Sequence, residues 1–228
     1  MIAERSAPVG EDVLPSVAAR PARFSGRRVL LACAAIVVAA LAVLLATFAT
    51  RQPDPALDDL GAVPAFQLVD ERGQAFTEDA LRGHVTIVSF IFTRCDTICP
   101  VTSLKMEHLQ ERTFDLGDRV KLVSFSVDPG YDTPAKLAAY AQRYQADPTR
   151  WRFVTGPADR VKGLVEGPFM TSTAVEGTQQ NGAPNIAHRG YFFVIDPRLE
   201  IRGKYESDDA RQLDELVRAA RFMSRTML

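Results

Sequence analysis

The sequence has little cysteine, only three in 228 residues, too few for a scaffold stapled by disulfides. It lacks a basic surplus: 27 Lys and Arg face 28 Asp and Glu, for a net charge of −1. Binding to phosphate backbones needs such a surplus, so no nucleic-acid partner is expected. Glycine and proline, 14 of each, are too scarce for a collagen-like or proline-rich chain. No internal repeat or low-complexity tract interrupts the sequence. What is there is 46 % hydrophobic and 24 % charged, the make-up of a chain that folds around a core.

One long hydrophobic run stands out. Residues 29–50, VLLACAAIVVAALAVLLATFAT, are 22 positions without a charge. As a helix they reach about 33 Å, enough to cross the apolar part of a bilayer. A buried core helix seldom stays apolar on every face for so long. A cleaved signal peptide has a shorter apolar stretch and a small-x-small cleavage site. The run therefore reads as an uncleaved anchor. Arg20, Arg23, Arg27 and Arg28 precede it, and Asp54, Asp58 and Asp59 follow Arg51. The positive-inside rule puts the N-terminus in the cytoplasm. The expected product is a single-pass protein of the cytoplasmic (inner) membrane, with its C-terminal domain on the periplasmic side. Its parts are a disordered cytoplasmic tail 1–28, the anchor 29–50, a tether 51–60 and one domain over 61–228.

Within that domain the pattern alternates. Residues 85–92, VTIVSFIF, and 120–127, VKLVSFSV, are apolar runs suited to strands buried on both faces. Helices are expected over 101–113, from the cap Thr133-Pro134 to Tyr144, from Pro157, and over 208–223. The last should bury Leu213, Leu216, Val217 and Ala220. Residues 151–156 read as a short strand, and 190–205 as two strands hinged at Asp196-Pro197. This order gives an α/β fold closed by a hairpin and a helix, a thioredoxin-like architecture.

The chemistry concentrates in FIFTRCDTICPVTSLKMEHLQ, residues 90–110. Cys95 and Cys99 fall between a buried strand and a helix, the edge where open α/β sheets bind ligands. A helix start favours thiolate. Three readings compete for the pair. They are structural cysteines, a redox dithiol spaced one residue wider than C-x-x-C, or soft ligands for Cu(I) or Zn(II). A structural zinc site wants four ligands, whereas a site of two thiolates and one imidazole suits copper. Cys33 lies within the apolar run and reads as a packing residue. Among the histidines, His84 precedes a strand, and His108 sits on the far side of its helix from the cysteines. His188 ends an irregular segment, 171–188, at the edge of a strand. Arg218, Arg221 and Arg225 read as a solvated helix face.

Three stretches, FTRCDTICP (92–100), SVDPGYDTPAKLAAY (126–140) and AHRGYFFVIDP (187–197), occur in an order that resembles the Sco/SenC family. These are copper-binding, thioredoxin-like proteins of cytochrome c oxidase assembly. The resemblance covers nearly the whole domain beyond the anchor. It implies copper bound by Cys95, Cys99 and His188, with Asp128 of the VDP turn either an outer group that orients the imidazole or tunes the site, or a former of the turn ahead of Pro129 and Gly130. Asp132 reads as part of a helix start. One departure is Asp96, where many members carry proline. The implied function is a membrane-anchored chaperone delivering copper, as Cu(I) or Cu(II), to the oxidase subunit that bears the Cu-A centre. Another copper donor or a thiol reductant would act upstream. The alternative is a thiol–disulfide reductase, with Cys95 and Cys99 as its redox-active pair, that keeps the cysteines of the oxidase copper site reduced. A peroxidase reading lacks a peroxide-pocket motif ahead of Cys95.

Overall fold

A computed structural model of the chain describes residues 26–49, 53–186 and 190–227. The chain divides into two compact units at Pro53 and Asp54. The first carries α1 (Gly26–Ala49), a helix of 24 residues. Its stretch Leu30–Thr47 has a mean hydropathy of 2.8 and, by length and composition, can cross a membrane. Leu30, Leu31, Ile36, Val37 and Leu45 stand exposed along it. Cys33 is exposed as well, one small apolar side chain among many.

The second unit is a layered α/β domain. In chain order it has β1 (Gln67–Asp70), β2 (Ala75–Thr77), β3 (Val85–Ile91), α2 (Ile98–Arg112), β4 (Val120–Ser126), α3 (Pro134–Arg143), β5 (Trp151–Thr155) and α4 (Ala158–Glu166). There follow β6 (Val175–Thr178), β7 (Pro184–Ile186), β8 (Tyr191–Ile195), β9 (Ile201–Glu206) and α5 (Ala210–Thr226). Among the described residues, seven strands form one sheet in the order β2-β1-β5-β4-β3-β8-β9. Strands β3, β4 and β5 run parallel, and β8 lies antiparallel to β3. Helices α2 and α5 pack on β3, α3 on β5 and α4 on β1.

The centre of the sheet follows from its sequence. Every residue of β3 is buried, as a run of β-branched and aromatic side chains requires. Of its two polar positions, Ser89 finds a partner inside, whereas the buried Thr86 hydroxyl has none among the described residues. Ser89 shares a hydroxyl hydrogen bond with Ser124 at 2.8 Å, and the Trp151 indole donates to Ser124 at 2.9 Å. At the C-terminal end of β3 and β4 the core is aromatic. Phe90 meets Phe169 at 5.2 Å and Phe193 at 5.9 Å between ring centroids. Burying each such ring contributes about 1.5–3 kcal/mol, and this floor fixes the strand ends from which the site grows.

Three boundaries differ from the sequence reading. The expected tether is docked from Asp58 onward: Asp58 and Leu60 donate backbone hydrogen bonds to Arg202 and Ile201 of β9. Helix α2 begins at Ile98, three residues before its expected start, because the first turn of a helix tolerates Pro100. The segment 171–188, expected to be irregular, contains the β6–β7 hairpin, a two-stranded sheet of its own. On α5, Arg221 is not merely solvated. It grips Asp115 through two bonds of 2.6 and 2.8 Å and donates to the Arg112 carbonyl.

Candidate metal centre

Strand β3 ends at Ile91 and α2 starts at Ile98, so six residues carry the chain from sheet to helix. Cys95 sits in this loop and Cys99 in the first turn of α2. The loop is tied at its root. The backbone N–H of Cys95 donates to Phe92, and that of Val127 donates to Ile91. The N–H of Cys99 then points at the sulfur of Cys95, at 3.4 Å.

The two cysteines differ in character. Cys95 is 7 % exposed and Cys99 is fully buried. Neither is in a disulfide. Hydrogen bonding from the Cys99 thiol, with help from Thr97, pulls the Cys95 pKa down to about 5 against the cost of burial. Burial pushes the Cys99 thiol far up, and the negative charge of Cys95 adds to the effect. At neutral pH the pair is therefore one thiolate and one thiol, with the thiolate nearer solvent. Iodoacetamide is expected to label Cys95 with a midpoint near pH 5 and to leave Cys99 unlabelled through neutral pH. Peptide mass spectrometry across a pH series reads both. A Cys95 midpoint at the ordinary thiol value of about 8.5 would contradict the assignment.

Asp132 anchors the loop from beneath. It is fully buried, and its carboxylate accepts from the Thr93 N–H at 3.1 Å and the Thr93 hydroxyl at 2.5 Å. The Ser126 hydroxyl donates at 2.6 Å to Oδ2, the oxygen that also accepts the Thr93 N–H. Burial still raises its pKa above the usual carboxylate range. A residue expected only to start a helix thus braces the chain two positions before Cys95. Thr133 takes the capping role, its hydroxyl accepting from the Lys136 N–H at 3.4 Å. Asp128, expected as an outer group, pairs with Arg94 at 2.7 Å. Arg94 also lies over the Tyr131 ring, 4.4 Å from its centroid. Asp128 is thus fixed beside the cysteine loop through the neighbour of Cys95. Asp96 is exposed.

The histidines separate. The His84 ring bonds the Asp118 carbonyl at 2.8 Å in a loop, and His108 is exposed beside Glu111. His188 lies outside the described residues. The described residues stop at Ile186 before it and resume at Gly190 after it. Before it, the β6–β7 hairpin touches the cysteine loop: Asn181 donates to the Arg94 carbonyl at 2.9 Å, and the Asp96 N–H donates to Gln179 at 3.0 Å. After it, Gly190 presses on α2. A Cβ there would stand 3.2 Å from both Ile98 and Thr102 and 2.3 Å from the Ser207 hydroxyl, so only glycine fits. Sequence reasoning missed Gln179, Asn181 and Gly190. A glycine immediately before an aromatic strand was the only signal available for any of them.

The family described as SCO1/SenC matches residues 56–221 of this chain. The SCO1 protein homolog of Bacillus subtilis (strain 168) is 27 % identical over 155 residues, covering 68 % of this chain and 79 % of its own. The solved structure of BsSco is described with a disulfide switch, as a member of the Sco family of cytochrome c oxidase assembly proteins. It is 26 % identical, with a TM-score of 0.63, over 77 % of this chain and 98 % of that one. ScoI of Bradyrhizobium japonicum, solved with copper bound, shares the fold at a TM-score of 0.60 and 21 % identity, over 71 % and 98 % of the two chains. The mixed α/β, thioredoxin-like fold expected from the sequence is the one this chain shares with these structures.

Proposed function

Because the chain belongs to the SCO1/SenC family, we propose that it is a membrane-anchored copper chaperone. It carries copper on Cys95, Cys99 and His188 to the Cu-A-bearing subunit of cytochrome c oxidase during assembly. The apolar helix α1, with its N-terminal arginines, would hold the domain on the periplasmic face of the cytoplasmic membrane. The observation that carries this reading is the cysteine pair itself. One thiolate and one thiol stand four residues apart at a strand end, in contact and largely shielded from water. Thiolates are soft ligands that select Cu(I), and a shielded but not sealed Cys95 leaves one side open to a partner's ligands. Metal binding deprotonates its ligands, so Cys99 gives up its proton when copper arrives while Cys95 has already lost its own.

His188 as third ligand is supported by the chain around it. The hairpin before it bonds Arg94 and Asp96, and Gly190 after it rests on the first turns of α2. His188 is two residues from Ile186 and two from Gly190, a reach of about 7 Å from each. An imidazole there suits Cu(II) as well as Cu(I). Reconstituted with Cu(II), the reduced protein should show a thiolate-to-copper charge-transfer band that disappears in His188→Ala. An unchanged band in that variant would sink the three-ligand site.

The asymmetry of the pair also supports the second reading, a thiol–disulfide reductase. The Cys95 thiolate would attack a partner disulfide to form a mixed disulfide. Cys99, deprotonated in turn, would close the Cys95–Cys99 disulfide and release the partner as a dithiol. This route needs both cysteines and not His188. Reduction of a partner peptide by the His188→Ala protein at the wild-type rate would favour it, and a rate that falls with copper binding would favour delivery.

A further inference from the structure

We propose that the cleft between the cysteine loop and the β6–β7 hairpin receives an extended, cysteine-bearing segment of a partner protein. The cleft holds that segment by its backbone, so that the partner's sulfur meets Cys95. The inference rests on the reading above of Cys95 as the sulfur a partner meets, and it serves copper delivery and thiol exchange alike. The cleft measures about 420 Å³ and is lined by Asp96, Thr97, Thr178, Gln179, Gln180 and Asn185, a size ordinary for ligand clefts. It opens beside the reactive sulfur. The Thr97 hydroxyl lies 3.5 Å from Cys95 Sγ, and Asp96 follows Cys95 directly. Cys95 is only 7 % exposed, so an incoming sulfur needs guidance onto it.

Two side chains clasp the walls of the cleft together. Asn181 Nδ2 donates to the Arg94 carbonyl at 2.9 Å, and the Asp96 N–H donates to Gln179 Oε1 at 3.0 Å. Gln179 Nε2 donates in turn to the Pro184 carbonyl at 2.7 Å, so the Gln179 amide is engaged at both ends. The rest of the lining is open. Among the described residues, the Asp96 carboxylate and the side chains of Thr178, Gln180 and Asn185 take part in no hydrogen bond or ion pair. All four residues are exposed.

These open groups define the occupant. Carboxamides and hydroxyls both donate and accept, and the carboxylate accepts. A peptide backbone presents a donor and an acceptor at nearly every residue, which is what this lining can pair. The cleft has no cation to hold a phosphate, and no aliphatic or aromatic wall for an acyl chain or a base. Strand β6 adds a backbone edge. Among the described residues it pairs with β7 only, and its four residues are all exposed. A free edge of this kind takes an added strand. Thr178, the last residue of β6, and Thr97 line the same cleft, so a segment laid along β6 is led toward Cys95.

The test uses the full chain in detergent, with Cys33→Ser in every sample so that only the domain's own pair reacts. The probe is a capped alanine–serine peptide whose central cysteine is joined to 2-thiopyridine by a disulfide. The Cys95 thiolate attacks the peptide sulfur and forms a mixed disulfide. The bond from that sulfur to thiopyridine breaks, and thiopyridine leaves with the electron pair and takes up a proton, which absorbance reads. A second probe is the same peptide N-methylated on both sides of its cysteine, so that its backbone donors there are gone. The parent protein should react about tenfold faster with the unmethylated peptide, the worth of two ordinary hydrogen bonds. Gln180→Ala/Asn185→Ala should bring that ratio toward one. A loosened cysteine loop changes both rates alike, so the ratio reports the cleft and not the fold. If the double variant fails to fold, Gln180→Ala alone should lower the ratio. A ratio near one in the parent protein overturns the inference, and so does the parent ratio in the cleft variants. Cys95→Ser reacting as fast as the parent would instead remove Cys95 as the meeting point, and the proposed function with it. If only the ratios fail, the cysteine site stands and the cleft's role falls.

Discussion

Replacing Cys99 with alanine is expected to lower Cu(I) affinity by more than about 100-fold, beyond the cost of losing a merely supporting group. Two effects act together. The variant removes one of two soft ligands. It also removes the hydrogen bond that is the largest cause of the low Cys95 pKa. With a pKa of about 5, Cys95 is almost wholly thiolate at neutral pH. At the ordinary thiol value of about 8.5 it would be only a few per cent thiolate. The surviving ligand thus loses the largest support of its thiolate form, while Thr97 and the backbone N–H of residue 99 still favour it. The sign of the linkage follows. Because folding lowers the Cys95 pKa, its contribution to stability is present above the unfolded thiol pKa. It is lost as pH falls through about 5. In Cys99→Ala that dependence should flatten. Cys99→Ser keeps a hydroxyl donor, so its Cys95 labelling midpoint should rise less, while its copper loss should be as large. Chelator competition and labelling across a pH series separate the two effects. A Cys99→Ala protein with wild-type Cu(I) affinity would remove the paired-thiolate site.

The parts of this molecule that were legible in its sequence are those decided by local pattern. Strand β3 is a mostly apolar, β-branched and aromatic run because both its faces are covered. Thr133-Pro134 announces α3, since cap and fixed φ act within one turn. The Cys95–Cys99 pair was legible as a site because its place, a strand end followed by a helix, is itself a local pattern. The β6–β7 hairpin was not. Residues 175–178 are all exposed, so burial imposes no alternation on VEGT, and Gly177 and Pro184 weaken any strand signal. Asp132 was read as a helix start for a related reason. Its function depends on Thr93, 39 positions away. Only the parallel pairing of β3 with β4 brings the two together. The clasp of Gln179 and Asn181 is likewise a contact across more than 80 residues, formed by side chains that solvated loops contain routinely.

Asp132→Ala is the second large effect expected, a destabilisation of about 2–4 kcal/mol. The variant strands the Thr93 N–H, the Thr93 hydroxyl and the Ser126 hydroxyl, all of which now donate to one carboxylate. Each buried donor left without a partner costs about 1–3 kcal/mol. Relief of the carboxylate's own desolvation, the main cause of its raised pKa, offsets part of that sum. For a domain of this size the melting temperature should fall by roughly 5–15 °C. Asp132→Asn keeps the shape and one acceptor and should lose less than half as much. The two variants also differ with pH. Because burial raises the folded pKa of Asp132, its contribution to stability is full below the unfolded carboxylate pKa. It declines as pH rises through the folded value. Asparagine does not titrate, so Asp132→Asn should lack that decline. Thr93 stands two residues before Cys95. Asp132→Ala should therefore weaken copper binding in both oxidation states. Thermal unfolding and copper titration on the same samples test both points. A wild-type melting temperature in Asp132→Ala would show that the loop is held by something other than this carboxylate.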